Sequence, residues 1–199
     1  MLQINSVNNG NCLDLMSDID DKSIDMILCD LPYGITACKW DTVIPFEPLW
    51  AHYKRIIKDN GAIVLNASQP FTSALVMSNI KMFKYCWLWQ KERPSNFFQA
   101  KFAPLNQIED ICVFSLGGCN NGAKIPMTYR PQGVTLIDVE RRNSNTGGGV
   151  GVGKGCQSLN GKKYRAKQQG YPKTLLNYAT EHRGLHPTQK PVALFEYLI

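Results

Sequence analysis

Apolar residues along this chain come in short dense runs separated by polar breaks. Ile24-Asp25-Met26-Ile27-Leu28-Cys29 reads as a mostly buried strand, and its compact apolar character fits a parallel sheet covered on both faces. Leu13, Met16 and Ile19 predict a short helix after Gly10-Asn11-Cys12. Phe46, Leu49, Trp50, Tyr53, Ile56 and Ile57 fall on one helical stripe, stopped by Asn60-Gly61, and Ala62 to Leu65 predicts a second strand. Ser68 is placed to cap the next helix, with Pro70 in its first turn and Phe71, Leu75 and Ile80 turned to packing. Phe83 to Trp89 and Ile111 to Phe114 predict further strands, with Trp87 and Trp89 as packing groups. Strands and helices that alternate through short connections indicate an open α/β sheet.

From about Asn120 the pattern breaks. Glycine, basic and amide residues dominate through Gln169, with only short apolar islands such as Val134 to Val139, which predicts a separate loop-rich lobe. The expected organisation is an α/β region over 1–119, an insertion over 120–180 and a closing segment over 181–199. That last segment begins a helix with Val192, Phe195 and Leu198 on one side. Gly147 to Gly155, with Lys154 among the glycines, has the look of a phosphate loop. A glycine follows Lys154 where Ser or Thr is needed, and no strand enters it, so a linker or a DNA-facing loop is the reading.

With 199 residues, 44% of them hydrophobic, the chain is long enough for one substantial core and a smaller appendage. Its formal charge of +6 is unevenly spread. Residues 130–190 hold 11 Lys/Arg against 3 Asp/Glu, while residues 1–129 hold 11 against 12. From charge alone this is a solvated basic surface, a site for a polyanion such as nucleic acid, or a lipid-facing patch. No apolar run is long enough to span a bilayer and no basic leader with a cleavage site is visible, so a cytoplasmic protein without membrane contact is expected. The seven cysteines include no Cys-x-x-Cys pair and read as reduced thiols. His182 and His186 have the spacing of helical metal ligands, but Gly184 and Pro187 argue against one regular helix, and no metal is expected.

The chemistry concentrates at Asp30-Leu31-Pro32-Tyr33-Gly34, directly after the first strand. The exocyclic amine of adenine or cytosine is a poor nucleophile because its lone pair is shared with the ring. Asp30 is suited to accept one N–H of such an amine and the Leu31 carbonyl the other, which frees the lone pair for an electrophile such as a sulfonium methyl group. Pro32 favours an extended Leu31, Tyr33 offers a ring to stack on the base, and Gly34 permits close passage or a positive φ. A base in a duplex has to be rotated out, or be unpaired already, to reach this loop. The plain alternative is an ordinary turn after a strand. Trp40-Asp41 lies close enough to support the loop, Glu109 is placed to anchor the entry into Ile111 to Phe114, and Thr188 and Lys190 stand near the terminal helix start, where an anionic group could be held or a helix simply capped.

Asp30-Leu31-Pro32-Tyr33-Gly34, followed much later by His186-Pro187-Thr188-Gln189-Lys190-Pro191, resembles the amino-group DNA methyltransferases of the beta arrangement, especially phage-type DNA adenine methylases. The resemblance covers nearly the whole chain. It implies a Rossmann-like sheet that uses S-adenosylmethionine, with a basic recognition insertion and a role in DNA methylation of the restriction-modification kind. Asp30, Leu31, Pro32 and Tyr33 then serve the target amine. Asn11 and Cys12, in a segment that looks like the family's early adenine-binding stretch, serve the donor together with Asp30, Thr188 and Lys190. Arg141, Arg142, Lys162, Lys163, Arg165 and Lys167 are the candidate contacts to double-stranded DNA phosphates. Asp at the first tetrad position looks like the adenine-N6 branch. Leu31 replaces the family's usual first proline but keeps the carbonyl. The resemblance places a glycine-rich donor loop after the terminal helix, past Ile199. It therefore implies a sheet short of its C-terminal strands, weak donor binding by these 199 residues alone, and completion by a partner chain or a second copy. Cytosine-N4 methylation and a catalytically inactive DNA-binding short form are the alternatives.

Overall fold

The structure, a computed structural model, describes residues 2–36, 38–142, 162–181, 186 and 188–199. The glycines at 147–155, Cys156, His182, Gly184 and Pro187 lie outside the described residues. The elements in chain order are α1 (Cys12–Met16), β1 (Ile24–Asp30), α2 (Phe46–Ile56), β2 (Ile57–Ala67), α3 (Phe71–Ser78), β3 (Phe83–Ser95), a 3-10 turn (Phe97–Gln99), β4 (Asn106–Phe114), β5 (Thr135–Arg142), β6 (Lys163–Gln169), β7 (Leu175–Asn177) and α4 (Val192–Leu198). Among the described residues no helix is long and apolar enough to cross a membrane, and no three His, Cys, Asp or Glu side chains are grouped to hold a metal.

Two compact units result, one of Met1–Tyr129 with Thr174–Ile199 and one of Arg130–Lys173. The larger holds a five-stranded sheet in the order β1-β2-β4-β3-β7. Strand β1 pairs parallel with β2, and β3 with β7, while β4 runs antiparallel to both β2 and β3. The sheet is therefore mixed rather than parallel throughout. The cause is local: β3 and β4 are joined by only the residues between Ser95 and Asn106, too few for a crossover, so they fold as a hairpin.

Alternation along the strands divides the core in two. Leu65, Ala67, Cys112 and Phe114 face α1, α2 and α3, where they meet Leu49, Trp50, Tyr53, Ile56, Phe71 and Leu75. Val64, Trp87, Trp89, Ile111, Val113 and Leu176 face the other way, against Leu194 of α4. Trp87 and Trp89 are thus packing groups, as expected. Arg55, in the last turn of α2, ties down α1 by donating to the Met16 carbonyl at 2.6 Å and to the Ile19 carbonyl at 2.7 Å.

Several element boundaries differ from the sequence expectation. Helix α2 ends at Ile56, and β2 starts at once, running through Asn60-Gly61 instead of stopping there. The pairing with β1 jumps from Ile24↔Ile57 to Met26↔Ala62, a bulge that absorbs the turn-forming pair. A Cβ on Gly61 would lie 2.8 Å from the Asp25 carbonyl oxygen, so glycine is needed where the two backbones pass. Pro70 is the N-cap of α3, and Ser68 contributes its carbonyl, accepting from Thr72 N–H at 3.1 Å, with no side-chain cap. Ile80 lies beyond the helix and is exposed, and on α4 Val192 faces solvent while Leu194 is fully buried. The smaller unit contains a two-stranded antiparallel sheet, β5 with β6, where loop was expected. Its strands are exposed nearly throughout and joined by charge pairs across the ladder, so an apolar pattern could not reveal them.

Candidate active site

The carboxyl ends of β1 and β2 form the edge where ligands collect in open α/β sheets. Asp30 closes β1 there, level with Asn66 on β2, and Asn66 is level with Ile111 on β4. Side chains in register on neighbouring strands share a face. By alternation Asp30, Asn66, Glu109 and Lys91 all belong to the α4 face, one step beyond its apolar core.

There they meet Lys190, which enters from the segment before α4. Its ammonium sits 3.0 Å from Asp30 Oδ2 and 3.4 Å from Glu109 Oε2. Lys91 lies 3.3 Å from Glu109 Oε1 and 3.3 Å from Ser95 Oγ. Charges therefore alternate along the edge from Lys91 to Glu109 to Lys190 to Asp30. Side-chain exposure is 10% for both lysines and 16% for Glu109, but 31% for Asp30, so the row opens to solvent at the aspartate. Beside it Asn66 is fully buried, with neither its amide nitrogen nor its oxygen hydrogen-bonded.

Side-chain contacts pin the loop after Asp30. Tyr33 Oη donates to Asp30 Oδ1 at 2.7 Å, and its ring stacks on Phe71 with centroids 5.2 Å apart. Lys190 Nζ stands 5.4 Å from the ring centroid. Burial, with the Asp30 charge next, drives the Tyr33 phenol far above its ordinary range, so it remains a donor. Leu31 is buried in the core and sets the loop's depth. Gly34 takes φ +69°, and its missing side chain makes room for Val43, which a Cβ would approach to 2.8 Å.

Asp41 supplies the anchor that the sequence left without a role. Its carboxylate accepts from the backbone N–H groups of Gly34 at 2.8 Å, Ile35 at 3.0 Å and Thr36 at 2.8 Å. Burial opposes its charge, yet these amides and the Thr36 hydroxyl outweigh that and hold the carboxyl down to about 2.

The other expected residues are distributed as follows. Asn11 caps α1, accepting from Leu13 N–H at 3.0 Å, with Cys12 exposed beside it. Cys12 contributes to raising the thiol of Cys29, the residue before Asp30, after burial and the Asp30 charge. Thr188 does not stand in the first turn of α4. Its N–H lies 3.3 Å and its hydroxyl 3.0 Å from His186 Nδ1, and the His186 ring meets Trp40 edge-on at 5.3 Å. The α4 start is taken instead by Glu181, which accepts from Val192 N–H at 3.4 Å. Lys190 is committed to two carboxylates rather than standing free for an anion.

Of the six basic candidates in the smaller unit, Lys163 pairs with Glu140 at 2.7 Å. Arg165 is held by both oxygens of Asp138, and Lys167 reaches Asp138 at 3.0 Å. Arg141 donates to Gln169 at 3.3 Å. Arg142 ends β5 and Lys162 precedes β6. Glu109 and Lys91 were the residues whose part in the site the sequence did not reveal.

Against known proteins, residues 24–199 match the family described as DNA methylase. The type II methyltransferase M2.MboI of Moraxella bovis is 28% identical over 98% of this chain and 69% of its own length. Among solved structures, the PvuII DNA methyltransferase, described as cytosine-N4-specific, superposes with a TM-score of 0.55 at 12% identity, over 96% of this chain and 67% of that one. The M1.HpyAVI–SAM complex superposes with a TM-score of 0.51 at 16% identity, over 96% and 74%. At such identities the superpositions establish the α/β methyltransferase fold.

Proposed function

The chain belongs to the DNA methylase family, the N6/N4 amino-group methyltransferases with a Rossmann-like α/β fold, and from that membership we propose that it methylates adenine N6 in duplex DNA as a phage-type enzyme of the beta arrangement. The observation that carries the reading is Asp30 at the open end of the charge row, with the Leu31 carbonyl next to it in a loop tied to Asp41. The Asp30 carboxylate accepts one N–H of the target amine and the Leu31 carbonyl the other, turning the nitrogen lone pair out of conjugation. Pro32 keeps Leu31 extended, and Tyr33, backed by Phe71, holds the base edge in line. Lys190 orients Asp30 and balances its charge. The target base is flipped out of the duplex to arrive there.

The residues present fit S-adenosylmethionine as donor. Asn11 and Cys12 are exposed at the α1 start, and the bare amide of Asn66 lies at the edge that carries Asp30. Asn11 and Cys12 hold its adenine, Thr188 its methionine end, and Asp30 faces its cationic centre. When bound, the donor supplies an electrophilic methyl group. Arg141, Arg142, Lys162, Lys163, Arg165 and Lys167 face DNA phosphates, for which Asp138 and Glu140 compete.

The test is incubation of duplex DNA with this chain and labelled donor, followed by nucleoside analysis. N6-methyladenine is expected, and Asp30→Ala abolishes it while DNA binding persists. N4-methylcytosine would overturn the adenine assignment. Salt-sensitive DNA binding without any product at saturating donor would make the chain a binding form only.

A further inference from the structure

The β3–β4 hairpin runs far past the end of the sheet at which Asp30 lies. Ile111, on β4, is level with Asn66 and through it with Asp30, yet the ladder continues to Ser95↔Asn106. Five residues of strand carry the hairpin about 17 Å beyond the aspartate before the connecting segment begins. That segment is an ordered knob. Asn96 takes φ +67°, Phe97–Gln99 forms a 3-10 turn, and Phe102 and Ala103 N–H both donate to the Gln99 carbonyl, at 2.8 and 2.9 Å.

On this knob Phe97, Phe98 and Phe102 are 63%, 101% and 88% exposed. Three bare phenylalanines on a preorganised turn mark a contact surface, since water gains nothing from them. Arg93 and Lys101 flank them in the open, and residues 93–105 include no acidic side chain, so the contact is with something anionic as well as apolar. A base stack edged by phosphates has both properties.

We propose that Phe97, Phe98 and Phe102 form a wedge that enters the duplex next to the target and fills the space a flipped base leaves. The role rests on the reading of the chain as a DNA methylase. Arg93 and Lys101 grip the phosphates on either side, and the aromatic rings replace the stacking that the departing base gives up.

Two measurements on the full chain test this. Covalently closing nicked plasmid in the presence of protein reads unwinding by an inserted side chain, without any need to know the target sequence or to see methylation. Wild type lowers the linking number, whereas the triple variant Phe97→Ala/Phe98→Ala/Phe102→Ala does not, although it retards DNA to the same extent. Equal unwinding by the two proteins overturns the wedge, and does so even if wild type methylates nothing, a result that would remove the methylase reading separately. Where methylation is seen, the triple variant is expected to lose about tenfold on paired DNA and to recover on a duplex whose target base faces an abasic site, because the unpairing is already done. A loss not recovered there, or a wild-type dimer that the variant dissolves in sedimentation, assigns the knob to folding or to a second copy and ends the proposal.

Discussion

The two faces of the five-stranded sheet are built from the same strands in strict alternation, yet they end differently at the carboxyl edge. On the α1–α3 face the apolar pattern runs through Leu65 to Ala67 and from Phe114 to Cys112, and the carboxylate level with Ala67, Asp110, accepts from the Thr72 hydroxyl of α3 at 2.7 Å. On the α4 face the same alternation carries Leu28 to Asp30, Val64 to Asn66, Ile111 to Glu109 and Trp89 to Lys91. On this face the carboxylate is taken up by the helix that packs over it. The other changes from core to polar and charged side chains within one step of the strand repeat on four strands, and this row is the candidate site. A sheet can therefore gather charges at one edge by polar substitution in register, while apolar packing on its other face keeps the register fixed.

The sharpest way to break the contrast is Asp30→Ala. Turnover should fall by about a thousandfold or more, equivalent to about 4 kcal/mol of transition-state stabilisation. A variant that retained turnover would show the edge to be structural. In the core of the α1–α3 face the opposite outcome is expected. Phe114, fully buried with its ring centroid 4.9 Å from that of Trp50, is predicted to cost about 3–5 kcal/mol of unfolding free energy as Phe114→Ala. Denaturant titration checks this, and a loss below 1 kcal/mol would contradict it.

Glu109→Gln sits between the two effects. It leaves Lys91 and Lys190, both 10% exposed, without their shared carboxylate, and a stability loss of about 3 kcal/mol is expected. Turnover should also drop by about tenfold with substrate KM nearly unchanged, as Lys190 loses its second anchor and Asp30 its orientation. Glu109→Asp would restore part of both, whereas a purely structural Glu109 would leave turnover at the remaining folded fraction.

The smallest effect belongs to Asp41, and it depends on pH. Its folded carboxyl titrates at about 2, below the ordinary aspartate value, so it stabilises the fold above about pH 4 and the contribution fades as pH falls through about 2. The stability gap between wild type and Asp41→Asn should be about 2 kcal/mol at pH 7 and close on acidification through that window. A gap independent of pH would mean that the amide contacts, rather than the charge, hold the loop.

Much of this was legible in the chain. The strand into Asp30, the amphipathic stripe of α2 and the packing role of Trp87 and Trp89 follow from period and composition, because burial acts on each residue where it stands. The Rossmann-like methyltransferase sheet expected from the two motifs is the one observed. Ile80 and Val192 were misplaced because an apolar residue past a helix end, or at its first turn, has no neighbour in sequence to declare which way it faces. The bulge at Gly61 was hidden for a related reason: the Asp25 backbone that excludes a side chain there belongs to another strand. The β5–β6 pairing rests on charge partners such as Asp138 with Arg165, which local patterning reads as solvent-exposed loop.

The residue types gathered at the loop, and the order of elements that carries them to a sheet edge, were set by the sequence alone, since strand and turn propensities act over a few neighbouring positions. Which charges stand together at that edge was decided by the tertiary structure. Lys190 reaches Asp30 across 160 residues, and Glu109 meets Lys91 across the hairpin, only because pairing brings four strands into register and α4 closes over one of their faces. Charge interactions depend on distance through space, which the chain acquires when it folds.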